Sequence, residues 1–323
     1  MYMKAAIYTQ YGPPEVVSVM EVDKPRPADN EVLIKIRATT VNRTDCGFRS
    51  AQYFVSRFWS GLFRPKGKIL GNEFAGEIVA IGAGVTGYSI GDRVFGYDDR
   101  HFGSHAEYKV MAANDTLATM PVDWTYEEAA PLTEGSHYAL SNIKASKIAS
   151  GQHAMVYGAS GAIGSAAVQL LKYFGVHVTA VCNTKNVDLV KRLGADVVVD
   201  YLTEDFTNTD RCFDFVFDAV GKSSFGQCKA FLNRKGIYIS TELGRNSENI
   251  FLALFTPFFS KRKVLFPIPT VSQNDVVFLK GLAVSGHFKP VIDRHYPLEQ
   301  IVDAYRYVET GQKTGNVVIT VTT

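Results

Sequence analysis

Four cysteines in 323 residues, Cys46, Cys182, Cys212 and Cys228, are too few and too scattered for a disulfide framework. They form no C-x-x-C pair, so a cysteine-based zinc site is not expected, and they suit a reducing, cytoplasmic setting. The first residues, MYMKAAIYTQ, lack the apolar centre of a secretory leader. No apolar run reaches about 18 residues, so a membrane-spanning helix is not expected. Neither sign of charge dominates: 34 Lys and Arg against 32 Asp and Glu leave +2, which gives no reason to expect nucleic acid or an acidic partner. Internal repeats and low-complexity tracts are absent as well. What remains is 46% apolar and 20% charged, a globular composition with length enough for two domains.

The chain is organised around residues 153–174, HAMVYGASGAIGSAAVQLLKYF. HAMVY reads as a short apolar strand, GASGAIG as a tight turn, and SAAVQLLKYF as a helix that Gly175 ends. In that setting Ala159, Gly161 and Gly164 match a dinucleotide fingerprint, with alanine at the first glycine position. Gly161 would let backbone approach a pyrophosphate, and Gly164 would let the helix pack on the strand. Ser160, Gly161, Ala162, Ile163 and Gly164 are the candidate pyrophosphate contacts, held at the positive end of the helix. The competing reading is an ordinary βα turn.

Residues 1–120 read as mainly β, with short runs such as VLIKIRATTV that place Ile34 and Ile36 on one face and Lys35 and Arg37 on the other. Asp92, after Gly91, reads as a turn residue. From Pro121 the texture is helical, with Asp123 or Thr125 as N-cap and Pro131 as a break. From His153 strands and helices alternate: VHVTAVC, NVDLVKRL, ADVVVDY, CFDFVFDAV, SFGQCKAFL, GIYIST, KVLFPIPT and NDVVFLKGLAVSG. Near-continuous apolar strands between amphipathic helices imply a parallel sheet covered on both faces. The tail, KPVIDRHYP, IVDAYRYVETG and NVVITV, reads strand, helix, strand.

The second strand of a dinucleotide fold ends near the adenosine ribose, where an acid marks NAD. Here VHVTAVC runs into Asn183, Thr184, Lys185 and Asn186, and the first acid, Asp188, falls in the next helix. Polar and cationic groups without a carboxylate favour the 2′-phosphate of NADPH. Asn183 and Thr184 could equally cap that helix, and Lys185 could face solvent.

With VNRTD (41–45), GNEFAGEIVAIG (71–82), GDRVFG (91–96), APLTEGSHYAL (130–140), GASGAIG (158–164), LGADVVVDY (193–201) and TGNVVITV (314–321), the chain resembles a medium-chain dehydrogenase/reductase along nearly its whole length. More narrowly, it is similar to the zinc-independent quinone oxidoreductase and enone reductase branch. The resemblance implies an α/β protein: a GroES-like β-rich catalytic domain (1–120), a Rossmann doubly wound parallel sheet that binds NADPH (121–288), and a C-terminal return to the first domain (289–323). It places nicotinamide and substrate in the cleft between them.

Zinc alcohol dehydrogenases carry a cysteine where this chain has Asn42, a histidine where it has Asn72 before Glu73, and often a cysteine lobe that YDDRHFGSHAEY lacks. Cys46 is out of register. Two of the three ligands that a catalytic zinc needs are thus replaced, so no metal is expected. His101, His105 and Glu107 are a weaker, accidental alternative. The resemblance implies hydride transfer from NADPH to a quinone or to the β-carbon of an α,β-unsaturated carbonyl. It sets Asn42 near the nicotinamide, with Ser136 orienting the carboxamide and Leu243 and Asn316 as further contacts on that side. It sets Thr184, Lys185 and Tyr201 around the 2′-phosphate and adenosine, although an aromatic at a strand end often only packs. No general acid can be named, because Asp45-Cys46-Gly47 stands where many relatives have a tyrosine two residues after the aspartate, and Tyr53 matches no motif. Asp45 reads as ordering the loop around Asn42. A nucleotide-binding regulatory protein with little turnover is the alternative from another class.

Segments 52–68 and 249–263 combine aromatic with basic residues. They read as a lid around an apolar substrate mouth or a homodimer contact, or else as a weak membrane-surface contact. The expected partner is a hydrophobic small-molecule electron acceptor.

Overall fold

The computed structural model describes residues 1–52 and 57–322, so Tyr53 lies outside the described residues. The chain divides into two compact units, one of Met1–Glu134, Ser272–Val284 and Pro290–Thr323, the other of Gly135–Val271 and Ser285–Lys289.

Unit 1 opens with β1 (Tyr2–Tyr8) and β2 (Val17–Asp23), an antiparallel pair. Then come β3 (Glu31–Val41), α1 (Arg43–Ser50), α2 (Arg57–Ser60), β4 (Glu73–Ile81), β5 (Arg93–Tyr97), β6 (Tyr108–Ala112), β7 (Leu117–Thr119) and α3 (Tyr126–Ala129). The expected alternation holds in β3, where Ile34 and Ile36 are buried while Lys35 and Arg37 are half-exposed. Asp92 is a turn residue, its carboxylate accepting from Ser89 N at 2.8 Å. Thr125 caps α3 in a reciprocal box with Glu128, and at Pro131 the backbone leaves helical angles before α4 (Glu134–Ser146) begins.

Unit 2 continues with β8 (His153–Tyr157), α5 (Ala162–Tyr173), β9 (His177–Cys182), α6 (Val187–Arg192), β10 (Val197–Asp200), β11 (Phe213–Asp218), α7 (Phe225–Cys228), β12 (Leu232–Ser240), α8 (Glu248–Phe259) and β13 (Lys263–Leu265). These strands form one parallel sheet in the order β10-β9-β8-β11-β12-β13. The order reverses between β8 and β11, and the crevice outside the carboxyl ends of strands at such a reversal is where doubly wound sheets bind ligands. The expected helix SFGQCKAFL forms as α7, capped by Ser224, followed directly by a 3₁₀ turn over Lys229–Phe231, and ends where Leu232 joins β12. The expected strand KVLFPIPT stops at Leu265, because Pro267 and Pro269 have no N–H for the ladder.

The chain ends with α9 (Gln273–Val284), β14 (Ile292–Pro297), α10 (Ile301–Glu309) and β15 (Asn316–Thr320), all in unit 1. The strand β15 pairs antiparallel with β3, Val317 opposite Val41, and completes a seven-stranded sheet with β14, β4, β5, β7 and β6. Ile301, Ala304, Tyr305 and Val308 of α10 recur at helical spacing and join Ile34, Ile36, Phe74, Ile78 and Ile319 in the core.

Candidate active site

In unit 2 the turn after β8 is as tight as the sequence suggests. Gly158 N and Ala159 N both donate to Val181 O, each at 3.0 Å, and Gly161 N donates back to Gly158 O at 3.1 Å. Gly158 has φ +78°, where a Cβ would also lie 2.6 Å from the Val220 methyls. A Cβ on Gly164 would overlap the Gly158 carbonyl oxygen, so helix and turn can meet only through glycine. Gly161 is different: its φ is −75° and the nearest atom to an added Cβ is 3.6 Å away. It is the N-cap of α5 and carries no side-chain cap, so the first amides of the helix have no side-chain acceptor and suit an anion. Gly164→Ala is therefore expected to cost roughly 1–3 kcal/mol by overpacking, while Gly161→Ala leaves stability within about 0.5 kcal/mol. Thermal unfolding of the two variants checks this ordering, and equal midpoints would remove the steric argument.

At the ends of β9 and β10 the structure brings Asn183, Thr184, Lys185 and Tyr201 together. The parallel register sets Asp200 beside Cys182, and Tyr201 N donates to Cys182 O at 3.0 Å. Asn183 Oδ1 accepts from Asn186 Nδ2 at 2.7 Å, while Lys185 is exposed. Tyr201, 42% exposed, stacks on Tyr157 with ring centroids 6.3 Å apart. Sequence reasoning missed Asp200. Its carboxylate accepts from Thr184 Oγ1 at 2.5 Å and Leu202 N at 3.0 Å, so an acid does stand at this corner, occupied in holding the turn. The signal was the VVVD ending, legible once the two strands are laid side by side. Ser160 sits in the glycine turn and Ser136 is buried in the first turn of α4. Leu243, half-buried after β12, accepts from Asn249 N at 3.0 Å.

Asn42 and Asn316 belong to unit 1. Asn316 is buried and ties down the preceding loop, its N and Nδ2 donating to Val291 O at 2.8 and 2.9 Å. Asn42 follows β3 and caps α1: its Oδ1 accepts from Asp45 N at 3.1 Å, and Asp45 Oδ2 accepts from Asn42 N at 3.0 Å. Asp45 Oδ1 also accepts from Gly71 N at 2.9 Å, so it orders the loop as expected. With its oxygen committed, Asn42 Nδ2 donates to Asn72 Oδ1 at 2.9 Å. Asn72 thereby turns its buried Nδ2 toward the Glu134 carboxyl, whose charged form it favours.

Glu73, fully buried, collects four donors. Thr40 Oγ1 reaches Oε1 at 2.7 Å; Thr133 N, Thr133 Oγ1 and Glu134 N reach Oε2 at 3.3, 2.9 and 2.7 Å. Burial raises its pKa and the donors oppose the rise. Glu134 Oε1 accepts from Thr44 Oγ1 at 2.6 Å, and its buried Oε2 makes no hydrogen bond of good geometry. Burial first, then the charges of Glu73 and Asp45, lift Glu134 well above the ordinary carboxyl range. Two such carboxyls titrate as a pair, and the one with four donors is the better place for the negative charge. Glu134 is then the proton holder, with the half-exposed Thr44 hydroxyl at its side.

Below this pair His105, fully buried, donates Nε2–H to Thr40 O at 2.7 Å, since a carbonyl can only accept. Its Nδ1 is left to accept from Tyr305 OH at 3.2 Å. Burial lowers its pKa to about 4 and raises that of Asp45, 4.0 Å away, to about 7. His101, by contrast, is 77% exposed beside Asp98, and Glu107 accepts from Lys4 N, so the accidental set His101, His105 and Glu107 does not converge.

Residues 28–122 match the family model of an alcohol dehydrogenase GroES-like domain, and residues 193–319 that of a zinc-binding dehydrogenase. The chain is 32% identical to 2-methylene-furan-3-one reductase of Solanum lycopersicum over 98% of its own length and 79% of the relative's. It is 31% identical to a chloroplastic quinone-oxidoreductase homolog of Spinacia oleracea, covering 98% of both chains. The quinone oxidoreductase structure from Coxiella burnetii superposes with a TM-score of 0.90 at 26% identity over the whole of each chain. The residues present do not fit a catalytic zinc: Asn42 and Asn72 are neutral amides bonded to each other, and both oxygens of Glu73 are taken by protein donors. Among the described residues no group of three or more His, Cys, Asp or Glu is placed to hold a metal ion. Strand order, glycine turn and relatives agree that the chain is an oxidoreductase of the medium-chain dehydrogenase/reductase family, in its quinone oxidoreductase and enone reductase branch.

Proposed function

We propose that the protein uses NADPH to reduce a quinone or the β-carbon of an α,β-unsaturated carbonyl. The observation that carries this reading is the uncapped start of α5 behind a glycine turn at the reversal of the parallel sheet, with Lys185 beyond the end of β9. Bound there, the cofactor would supply a hydride. The amides of Ala162, Ile163 and Gly164 would hold its pyrophosphate, Ser160 would line the turn, and Asn183, Thr184, Lys185 and Tyr201 would surround the adenosine end. Asp200 does not speak for the ribose of NADH, because both its oxygens are already bonded within the protein. As hydride adds, the acceptor's carbonyl oxygen gains negative charge, and the resulting enolate takes a proton. That proton comes from water, and no residue is assigned as general acid: Thr44 Oγ1 donates to Glu134 Oε1, so Glu134 has no hydrogen bond through which to give a proton up.

Oxidation of NADPH against a panel of quinones and enones tests the activity, and tight binding without turnover would favour a regulatory nucleotide-binding protein instead. Titration with the two nucleotides tests the cofactor. NADPH is expected to bind at least about tenfold tighter than NADH. Lys185→Ala is expected to weaken NADPH by roughly tenfold and NADH by less than about twofold, as loss of one charge-assisted phosphate contact implies. Equal affinities in the parent protein would refute the 2′-phosphate argument.

A further inference from the structure

Helix α8 is built inside out. Asn249 and Thr256 are buried, with Leu252 and Ala253 half-buried between them. Both polar side chains are tied to the core: Asn249 Nδ2 donates to Glu242 O at 2.8 Å, and Thr256 Oγ1 accepts from Val264 N at 2.9 Å. Ile250, Phe251, Leu254, Phe255, Phe258 and Phe259 face outward, 46 to 84% exposed. A helix that turns its small and polar residues to the core and its aromatics away from it presents a contact surface.

The charge beside this face says what the contact is. Because α8 joins two neighbouring parallel strands, it runs against them, and Phe258 and Phe259 lie at the strands' amino ends. The same end gathers Arg234 and Lys235 early in β12 and Lys261, Arg262 and Lys263 leading into β13. Arg262 Nε donates to Leu232 O at 2.7 Å and joins the two stretches. The nearby carboxylate, Asp214, is taken by His153 N and Asn233 Nδ2. The glycine turn and the start of α5 lie at the opposite, carboxyl ends of the strands, so these cations are not placed for nucleotide phosphates.

We propose that α8 and this basic edge dock unit 2 on an anionic lipid surface, with the phenylalanines in the acyl boundary and the cations among headgroups. Among the described residues no helix is long and apolar enough to cross a membrane, so the contact is peripheral. The test is sedimentation of the full chain with phosphatidylcholine vesicles, with and without phosphatidylserine. The variants are Phe258→Ser/Phe259→Ser and Lys261→Glu/Lys263→Glu, all at exposed positions. Binding is expected on anionic vesicles only, and to fall as salt rises. At about fivefold per unit charge, the double reversal weakens it more than about a hundredfold. The phenylalanine pair weakens it at least about tenfold. NADPH titrations and thermal midpoints stay as in the parent. Equal affinity for neutral vesicles, no binding to either, or a dimer that the phenylalanine variant splits without vesicle binding by the parent, would overturn the proposal.

Discussion

Glu73→Ala is expected to lower the stability of unit 1 by roughly 4–6 kcal/mol, whereas Glu73→Gln costs about 1 kcal/mol. The alanine leaves Thr133 N and Glu134 N buried without an acceptor, at about 1–3 kcal/mol each, and opens a cavity where the side chain stood. Glutamine keeps an oxygen for those two amides and turns its NH₂ to Thr40, whose hydroxyl can accept as well as donate. Glutamine also removes the charge that helps lift Glu134, so the pKa of Glu134 should fall toward its ordinary value. Denaturant midpoints for the two variants measure the first effect, and carboxyl titration by NMR the second. An alanine variant as stable as the glutamine one would mean that the buried amides find other partners, and the carboxylate's structural role would be lost.

The second large effect concerns pH. The ordinary values are 3.8 for Asp45 and 6.5 for His105; in the fold burial raises the first to about 7 and lowers the second to about 4. Folded and unfolded chains therefore each release one proton near pH 4 and another near pH 6.5–7, but from exchanged residues. Between those values the folded pair is neutral and the unfolded pair is charged, with nearly equal proton counts, so the pair adds little pH dependence. Each member alone adds a great deal. The raised Asp45 contributes stability that is present below its unfolded pKa and lost as pH climbs to about 7. The depressed His105 contributes stability gained as pH climbs from about 4 to 6.5. His105→Gln, whose amide can still donate to Thr40 O, should thus lose stability relative to the parent by up to about 1.4 kcal/mol per pH unit from about pH 4 to 7. Asp45→Asn should show the opposite slope over about pH 4 to 6.5. Parallel stability curves for parent and variants would show that the two groups do not exchange their protonation in the fold.

Local features of this protein were written in its residue order: the strand–turn–helix at His153–Tyr173, the cap Thr125-Tyr126-Glu127-Glu128, the break at Pro131, and the alternation of β3. Each depends on hydrogen bonds or packing among residues a few positions apart, so spacing alone encodes it. The tertiary structure decided the rest. Asp200 meets Thr184 only because β10 pairs with β9 in one register, and Glu73 finds its acceptor role only when Thr133 and Glu134 return to it. The tautomer of His105 is set by Thr40 and Tyr305, and α8 shows which of its faces is outward only when Glu242 and Val264 claim Asn249 and Thr256. A buried polar group must take its partner from whatever segment packs against it, and that neighbour is chosen by the fold as a whole, not by distance along the chain.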